Sequence, residues 1–565
     1  MSLAATRRAS ARVCRRCYST ATATVKPELH DVVVVGGGPA GLALTAALAA
    51  SEAISSTHRI TLLERASLAS TRSWNPAPGQ LSNRVSSITS ENVQFLTDAR
   101  VWQHVDHSRT RGIEEMQVWD GLSDARLEFQ SPRIESSPDR PHYAPTRRTP
   151  MAILTENLNL QRAALRAIEQ TNKVELVDEM RVESIVKSSK EEGGWPIVNL
   201  ENRDGTIKRS IRARLLIGAD GANSPVKSYS DIETFGWGYD RQGVVSSLEL
   251  DPAALGQGTR TAWQRFLPEG PIAFLPLSDT TASLVWSTTP TYATLFKSLP
   301  APAFSHLINL AFCLPYSQLS QLLSHLESLR SSSTLPDSET LTRTLQDIYQ
   351  THVEQAYDAN DVPEQLPPVV VAVQPNSTAS FPLRLSHTSS YLGLPSTDFS
   401  QDLRTVLVGD AAHTVHPLAG QGLNMGLADA ETLVQVLSNQ SRLGGDIGSY
   451  VGLLEYPRKR YFKNHTLLSA CDHLHSLFKS ESKPIVWARS NGFEVLNELD
   501  GVKQFLVGNA GGVGGTSRNM GPGSWGVVAN GLETLNQVKS MVGMVGSLAG
   551  NLIKKRATEF VVKGR

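Results

Sequence analysis

The sequence is poor in cysteine, has no surplus of either charge and contains no long apolar run. Only four of its 565 residues are cysteine, which gives no basis for a disulfide framework. Basic and acidic residues balance at 54 each, so the composition does not favour nucleic acid as a partner. No uninterrupted apolar run reaches the roughly 18 residues that a membrane-spanning helix needs. With 40% hydrophobic and 19% charged residues, the chain is typical of a globular protein, not of a disordered or fibrous one.

Acidic residues are also absent from the first 27 positions. This segment is rich in Ser, Thr and Ala and carries a group of arginines, namely Arg7, Arg8, Arg12, Arg15 and Arg16. That composition predicts a mitochondrial transit peptide over residues 1–27, with a disordered basic tail as the alternative. Cys14 and Cys17 form a single CxxC in this segment, which is weak evidence for zinc, and we expect no metal site.

A glycine motif follows the first predicted strand of the mature chain. Gly36, Gly38 and Gly41 form a GxGxxG sequence between a buried strand and a helix. The first glycine permits a tight turn, the second lets the backbone approach a pyrophosphate, and the third lets the helix pack closely. Glu64 ends the next strand, 23 residues after Gly41, where an acidic side chain accepts hydrogen bonds from a ribose. A lone GxGxxG is weak evidence, but this context favours dinucleotide binding over a structural turn. The predicted unit comprises strand 30–35, helix 39–50 and strand 59–64.

Two further motifs lie far along the chain. LLIGADGANSPVK places Asp220 directly after a buried strand, although an ordinary turn explains this pattern equally well. TVLVGDAAHTVHPLAGQGLNMGLADA is more specific: Asp410 can bond ribityl hydroxyls, and Gly420 and Gly422 let the backbone run close to a flavin ring. A helix predicted to start near Leu423 would point its positive end at the negatively charged edge of a reduced flavin. This motif therefore indicates a flavin.

At these motifs the chain resembles the flavoprotein hydroxylases that share the p-hydroxybenzoate hydroxylase fold. The resemblance covers about residues 30–507. Within it, HPLAGQGLNMGLAD is similar to the signature of the ubiquinone-biosynthesis hydroxylases, the UbiH family. TAWQRFLPEGPIAFLPL and SLVWS are similar to segments of the mitochondrial members that hydroxylate ring carbon 5, and SNRVSSI also matches.

The resemblance implies an α/β fold with a Rossmann-like FAD-binding domain, an inserted antiparallel-sheet substrate domain and C-terminal helices. The expected boundaries are 28–235 and 386–507 for the two parts of the FAD-binding domain, and 236–385 for the substrate domain with its helical insertion. Residues 508–565 depart from the family pattern, and their sequence predicts a Gly-rich linker followed by an amphipathic helix at about 530–558. This helix has an apolar face and ends in basic residues. Packing on the protein and binding at a membrane surface both fit this pattern equally well.

The resemblance also completes the set of expected site residues. Arg84 is expected near the flavin, and Gln161 in a helix that reaches FAD. The full predicted cofactor set is Gly36, Gly38, Gly41, Glu64, Arg84, Gln161, Asp220, Asp410, Gly420, Gly422, Leu423 and Asn424. Pro417 matches the family segment that flanks the flavin hydroperoxide formed in the reaction. His416 is expected to make a hydrogen bond next to the flavin or the substrate phenol. No carboxylate or cysteine cluster accompanies His413 and His416, which disfavours a metal site.

The activity implied by the resemblance is hydroxylation of a polyprenyl-4-hydroxybenzoate-type intermediate at ring carbon 5, with dioxygen and through a flavin hydroperoxide. It also implies electrons from ferredoxin and ferredoxin reductase, other ubiquinone-biosynthesis proteins as partners in a complex, and a place on the matrix side of the inner membrane. Two alternatives stay open. One is a non-catalytic FAD-binding scaffold of that complex, and the other is an NAD(P)H-dependent hydroxylase of a soluble phenol.

Between the motifs, periodicity predicts several further elements. Leucines at helical spacing, beginning with Leu154, predict a helix over residues 151–168. Short strands are predicted at 207–211, 214–217 and 369–381, and residues 242–287 show the pattern of an antiparallel sheet.

Overall fold

The computed structural model describes residues 26–131, 148–189, 191, 193–254, 259–358, 366–394, 403–416 and 420–498. Most of the predicted transit peptide, Pro417 and the predicted 508–565 tail lie outside these residues. Among the helices within these ranges, none combines the length and the apolar character needed to cross a membrane.

The strands form three sheets. In chain order they are β1 (Glu28–Val35), β2 (Ile60–Leu63), β3 (Val85–Thr89), β4 (Thr110–Ile113), β5 (Glu115–Asp120), β6 (Arg126–Gln130), β7 (Ala152–Glu156), β8 (Val174–Val177), β9 (Met180–Lys187), β10 (Pro196–Asn202), β11 (Lys208–Gly218), β12 (Thr234–Leu250), β13 (Thr261–Phe266), β14 (Ile272–Pro276), β15 (Thr281–Thr288), β16 (Val370–Val373), β17 (Ala379–Thr388), β18 (Thr405–Leu407) and β19 (His413–Thr414).

The helices cover these sheets. In chain order they are α1 (Pro39–Ala50), α2 (Glu52–Ser55), α3 (Ala69–Arg72), α4 (Ser90–Asp98), α5 (Asn157–Thr171), α6 (Pro225–Tyr229), α7 (Pro290–Ser298), α8 (Ala301–Cys313), α9 (Tyr316–Ser331), α10 (Ser338–Asp358), α11 (Gln421–Arg442), α12 (Tyr450–Leu453), α13 (Glu455–Lys479) and α14 (Lys483–Glu498).

The first sheet brings the three motifs together. Its order is β8-β2-β1-β11-β10-β9, with β18 paired to β11. β1 pairs in parallel with β2 and β11, and β18 pairs in parallel with β11. Val32, Val33 and Val34 are fully buried, as expected for a central parallel strand. Because the carboxyl ends of β1, β11 and β18 lie side by side, the loops that follow these strands meet at one edge of the sheet.

The second sheet carries the chain's other large core. Its order is β19-β17-β12-β15-β14-β13-β5-β6, with β16 paired to β12. Large aromatic side chains, among them Trp119, Phe274, Trp286 and Phe304, fill the space between this sheet and helices α7 to α10. β5 and β6 belong to this sheet, although they fall in the stretch predicted as the first part of the FAD-binding domain. A third, small sheet has the order β3-β7-β4.

Some local predictions are wrong at their boundaries. The predicted helix over 151–168 begins only at Asn157, because residues 152–156 form β7 and pair with both β3 and β4. The two strands predicted within 207–217 are one strand, β11, since β1 and β10 pair along its length. The first strand of the stretch predicted as antiparallel sheet, β12, begins at Thr234, earlier than residue 242. The strand predicted at 369–381 is divided into β16 and β17 by a turn in which Asn376 has a φ of 56°.

Candidate active site

The first glycine motif forms a turn in which Gly36 and Gly41 are packed against the protein and Gly38 is not. Gly36 has a φ of 110°, and a Cβ added to it would lie 2.4 Å from the carbonyl oxygen of Ala219 in the second motif. A Cβ on Gly41 would lie 2.0 Å from the Gly36 carbonyl oxygen, so this glycine lets α1 pack on the turn. A Cβ on Gly38 would have nothing within 4 Å. Gly38 therefore faces the space where a ligand can approach the backbone.

Glu64 and Gln161 hold this turn from outside. Glu64 accepts hydrogen bonds from Gly37 N at 2.5 Å and from Ala66 N at 2.7 Å. Gln161, on α5, donates from Nε2 to the Gly37 carbonyl oxygen at 3.2 Å. A carboxylate has about four acceptor positions, so Glu64 keeps capacity for the hydroxyls of a ribose.

Asp220, just beyond β11, is a buried acceptor whose hydrogen bonds are incomplete. Both of its carboxylate oxygens are buried, and neither makes a hydrogen bond of good geometry with a described residue. Burial raises the pKa of this carboxyl to about 6, although weak hydrogen bonding from Ser224 and the nearby backbone, together with the charge of Lys227, opposes the shift. An unsatisfied buried polar group costs about 1–3 kcal/mol, so a ligand that brings donors is favoured here. The ribityl and ribose hydroxyls of FAD are such donors, and the site fits that cofactor.

Asp410 lies beside the first motif. A Cβ added to the preceding residue, Gly409, would lie 3.6 Å from Ala40 Cβ on α1 and 3.5 Å from Gly426 Cα on α11. The Asp410 side chain is exposed to solvent, yet the surrounding protein raises its pKa. Ala219 adjoins Gly36 and Gly409 adjoins Ala40, so the three motifs lie next to one another. We call the solvent-accessible region that they border, where Asp410 is exposed and Gly38 is open, the cleft.

The start of α11 is tied to β3. The helix begins at Gln421, two residues before the predicted position, after Gly420 with a φ of 61°. Asn424 is buried; it accepts a hydrogen bond from Thr89 N at 3.1 Å and donates one to the Ser87 carbonyl oxygen at 2.7 Å. Its side chain thus fastens the helix, and only its backbone is available to a cofactor. Gly422 and Leu423 lie with it in the first turn of α11.

Arg84 borders the same region from the loop before β3. Its side chain is exposed, and its carbonyl oxygen accepts a hydrogen bond from Asn157 N at 2.9 Å. Asn157 is the first residue of α5, the helix that carries Gln161. The structure therefore brings Arg84 and Gln161 to neighbouring positions around the glycine turn.

A buried network locks the Asp410 loop in place. Asp429 on α11 is fully buried and accepts hydrogen bonds from His413 Nε2 at 2.6 Å, Arg460 Nε at 2.7 Å, Asn464 Nδ2 at 3.0 Å and Gly409 N at 3.3 Å. Burial alone would raise the pKa of this carboxyl, but the interactions with His413 and Arg460 outweigh it and lower the pKa to about 2. His413 therefore holds α11 and α13 to the loop and does not face a ligand.

His416 lies in a different environment. Its side chain is fully buried among Tyr239 from β12 and His475 from α13, and neither of its ring nitrogens has a hydrogen-bond partner within the described ranges. β19, which begins three residues before His416, pairs with β17 and so joins the segment that follows β18 to the second sheet. Pro417, predicted beside it, lies outside the described residues.

Four residues of these two environments were not predicted from the sequence, namely Asp429, Arg460, Asn464 and Tyr239. A signal for Asp429 was present: it lies four residues after Met425 and four before Leu433, both of which are buried on α11. An acidic residue on the apolar face of a helix indicates a buried partner. In the part of the chain that the structure describes, no three His, Cys, Asp or Glu side chains are grouped closely enough to hold a metal ion.

Comparisons with known proteins agree with this cleft. A family model described as an FAD binding domain matches residues 30–295 and 385–459, more than half of the chain. The chain is 35% identical over 511 residues to the mitochondrial ubiquinone biosynthesis monooxygenase COQ6 of Saccharomyces cerevisiae, covering 88% of this chain and 98% of that protein. It is 32% identical to the protein of the same name in Homo sapiens, covering 87% and 94%.

Solved structures show the same fold at low sequence identity. The p-nitrophenol 4-monooxygenase PnpA from Pseudomonas putida DLL-E4 superposes with a TM-score of 0.55 at 17% identity, covering 86% of this chain and 99% of that chain. The anhydrotetracycline hydroxylase OxyS from Streptomyces rimosus gives 0.53 at 15% identity, covering 86% and 76%.

The fold and the cleft define an FAD-dependent aromatic-ring monooxygenase, with FAD as its cofactor. Among such enzymes, the chain belongs to the COQ6 family of ubiquinone biosynthesis monooxygenases. The predicted fold class, family and cofactor are therefore confirmed. The roles of the individual site residues and the domain boundaries stay predictions.

Proposed function

We propose that this enzyme hydroxylates ring carbon 5 of a polyprenyl-4-hydroxybenzoate-type intermediate of ubiquinone biosynthesis, with dioxygen as co-substrate. The observation that supports it most is the meeting of the three motifs around one cleft, where the buried Asp220 carboxylate makes no hydrogen bond of good geometry. The cleft lies in a chain that matches proteins named COQ6 over almost their whole length. The ring position rests on the segments TAWQRFLPEGPIAFLPL and SLVWS.

In this proposal the glycine turn holds the FAD pyrophosphate, and Glu64 accepts hydrogen bonds from the ribose. Asp220 and Asp410 accept hydrogen bonds from hydroxyls elsewhere on the cofactor. Bound FAD supplies the activation of dioxygen, which amino-acid side chains do not provide. The turn consists of Gly36, Gly38 and Gly41, and the remaining residues assigned to the flavin are Arg84, Gln161, Gly420, Gly422, Leu423 and Asn424.

The protein's own contribution is to hold the substrate ring and to keep water away from it. His416 lies beside an apolar cluster that joins the second sheet to α11 and α13, and this cluster excludes water. Its members include Val118, Phe266, Leu383, Val415, Met425 and Phe478. We assign the substrate phenol to this region, with His416 and Pro417 beside the reacting atoms.

The relatives are named mitochondrial, and we propose the same compartment for this chain, with attachment to the matrix side of the inner membrane. Ferredoxin and ferredoxin reductase are the proposed electron donors, and other ubiquinone-biosynthesis proteins are the proposed partners. The predicted transit peptide and the predicted amphipathic helix at about 530–558 support the location.

The test is reconstitution of purified holoprotein with a 3-polyprenyl-4-hydroxybenzoate and dioxygen. We expect ring-5 hydroxylation, measured by mass spectrometry, when NADPH, ferredoxin reductase and ferredoxin are all present, and none with NADPH alone. Flavin that is reduced by ferredoxin without substrate-dependent product would indicate the scaffold alternative. Turnover of a short soluble phenol with NAD(P)H alone, in preference to the polyprenyl substrate, would indicate the other alternative, an NAD(P)H-dependent hydroxylase of a soluble phenol.

A further inference from the structure

A polar cavity lies close to Asp220, beyond the end of β11. It has a volume of about 430 Å³ and lies between the segment that follows β11 and the paired strands β12 and β17. Two cations from different elements line it, Lys227 on α6 and Arg384 on β17. Except for Ala222, the other residues that line it are uncharged and polar, and none of the lining residues is acidic or aromatic. The cavity therefore offers positive charge and hydrogen-bonding groups to a ligand.

The cavity is open because glycines lie next to Arg384. In the antiparallel pairing of β12 with β17, Gly238 lies opposite Arg384 and Gly236 lies opposite Ser386. Residues directly opposite each other on such strands point to the same face, so larger side chains here would cover the arginine. A Cβ added to Gly238 would have nothing within 4 Å. The Arg384 side chain is thus exposed beside open space.

The two cations are not neutralised in pairs. Within the described ranges, Arg384 forms no ion pair with an acidic side chain. Lys227 donates from Nζ to the Ala222 carbonyl oxygen at 2.7 Å, which uses one of its three N–H groups. Burial lowers the pKa of Lys227; the charge of Asp220 opposes this effect, and that of Arg384 adds to it. One carboxylate therefore faces two cations, and an anionic ligand would relieve the repulsion between them.

The lining and the number of cations indicate which kind of anion fits. Small-molecule sites are lined mainly by apolar and aromatic side chains, which this cavity lacks, so it is poorly suited to the base of a nucleotide. Anionic membrane surfaces are recognised by clusters of about four to eight basic side chains, and only two basic side chains line this cavity. Electron-transfer complexes between proteins bury little surface and depend on complementary charge for their encounter. A carboxylate on a protein that delivers electrons fits these conditions.

We propose that Lys227 and Arg384 bind carboxylates on an acidic surface of the protein that donates electrons to the flavin. This inference rests on the proposed function, in which a ferredoxin is the donor, and deepens it by naming the face on which the donor docks. The cavity lies close to Asp220, which we assign to the cofactor, so a donor seated here is near the FAD site. Two encounters, each delivering one electron, reduce FAD, and the two protons come from water.

The test is anaerobic stopped-flow reduction of the FAD-loaded protein by reduced ferredoxin, followed by flavin absorbance at several salt concentrations. Arg384→Glu should lower the second-order rate constant about tenfold at low salt, because like charges slow the encounter. The difference should disappear at about 0.5 M salt, where charges are screened, and Arg384→Lys should keep most of the normal rate. The matched control is Lys297→Glu, which makes the same change of charge at an exposed side chain on α7 outside the cavity and should leave the rate unchanged.

Further measurements exclude an indirect effect of the substitution. Dithionite at high salt should reduce all variants equally fast, and slow reduction of Arg384→Glu alone would place the defect in the FAD site and overturn the proposal. Gly238→Asp, which places a carboxylate opposite Arg384, should reproduce the slow reduction by ferredoxin without removing the arginine. In Arg384→Lys, a carbodiimide should link the amine at position 384 to a ferredoxin carboxylate, detected by mass spectrometry of the cross-linked peptides.

The outcomes distinguish the possible ligands. An Arg384→Glu variant that ferredoxin reduces at the normal rate and with the normal salt dependence would overturn the proposal. The same conclusion would follow if this variant lost only its reduction by NADPH, which would assign the cavity to a coenzyme phosphate. Loss only of binding to phospholipid vesicles that contain cardiolipin would assign it to a lipid headgroup and overturn the proposal as well.

The outcomes also separate this inference from the proposed function. Ring hydroxylation together with normal reduction of Arg384→Glu would remove the docking site and leave the proposed function standing. Slow reduction of Arg384→Glu, in an enzyme whose normal form never hydroxylates the polyprenyl substrate, would overturn the function and leave the docking site standing. Ferredoxin that does not reduce even the normal protein would overturn both the proposed donor and its docking site.

Discussion

Asp429→Asn is the substitution that tests most directly whether buried charge holds the cofactor loop. Asp429 is 0% exposed and receives four hydrogen bonds, among them one from the Arg460 guanidinium, whose side chain is 11% exposed. An asparagine keeps one acceptor oxygen, but its NH₂ group would face His413 or Arg460, both of which donate. The guanidinium would then lie buried without its counter-charge.

The expected loss in the free energy of unfolding is large. Removing one partner of a buried ion pair costs about 3–5 kcal/mol, and we expect this loss in the unfolding of the FAD-binding domain, followed by flavin fluorescence in urea. Because Gly409 and His413 flank Asp410, we also expect FAD to dissociate about tenfold more readily, which corresponds to about 1.4 kcal/mol. The matched control is Arg343→Met: its ion pair with Glu339 is exposed, so its loss costs less than about 1 kcal/mol.

The pH dependence gives an independent check. The folded pKa of Asp429 is lowered from 3.8 to about 2, so its contribution to stability is present above about pH 4 and is lost as the pH falls toward 2. The Asn variant should lack this loss in acid. Asp429 does not hold the cofactor loop by its charge if Asp429→Asn unfolds at the same urea concentration as the normal protein, or loses no more stability than Arg343→Met.

Three further outcomes are expected. Gly38→Glu should leave a folded but colourless protein, because a carboxylate at this open position would repel the FAD pyrophosphate, whereas Gly38→Ala adds bulk without charge and should lose less FAD; a yellow Glu variant would contradict the role of the turn. Gly41→Ala should lower the melting temperature of the FAD-free protein by several degrees, since its Cβ would lie 2.0 Å from the Gly36 carbonyl oxygen, and a melting temperature equal to that of Gly38→Ala would refute this packing argument. Deleting residues 527–565 should move most of the protein from the membrane fraction to the soluble fraction of disrupted organelles, and unchanged fractionation would exclude a membrane role for this segment.

Local sequence predicted the elements around the cofactor well. The run of valines in β1, the three glycines and the small residues of α1 together are typical of one structure, a buried parallel strand followed by a tight turn into a helix. The elements of the later motif were also predicted well, because the segment between β18 and α11 contains glycines with positive φ at 409 and 420. Such predictions succeed where the backbone itself dictates the residue type.

Predictions failed where partners distant in sequence decide the outcome. Leu154 fits a helix by its spacing, yet it lies in β7, because two strands on either side supply hydrogen bonds that local periodicity does not reveal. The network around Asp429 was equally hidden, since Arg460 and Asn464 follow it by more than 30 residues and lie on another helix. Tyr239 and His475 come close to His416 only because β12 and α13 pack on the segment that follows β19.

Asp220 and Asp429 belong to the same cofactor region but differ in what satisfies them. Asp429 accepts well-formed hydrogen bonds from the protein and has a pKa lowered to about 2, whereas neither Asp220 oxygen accepts a hydrogen bond of good geometry and burial raises the Asp220 pKa to about 6. A carboxylate whose donors come from the protein serves the fold, and one that lacks them is available to a ligand. Because its folded pKa is raised, Asp220 contributes stability to the FAD-free protein that is fully present below about pH 4 and is lost as the pH rises through 6.

Binding of FAD should lower the raised pKa of Asp220. Cofactor hydroxyls that donate to Asp220 favour its ionised form, so loading FAD at about pH 5 should release a proton, and the affinity for FAD should weaken as the pH falls below 6. Infrared difference spectroscopy measures this directly, as loss of a protonated carboxylic acid band on FAD binding, and Asp220→Asn should remove the band. Asp429 is ionised with or without FAD at this pH and adds nothing to the signal. A difference spectrum at pH 5 without that band, or one that Asp220→Asn leaves unchanged, would show that the empty acceptor at the end of β11 does not serve the cofactor.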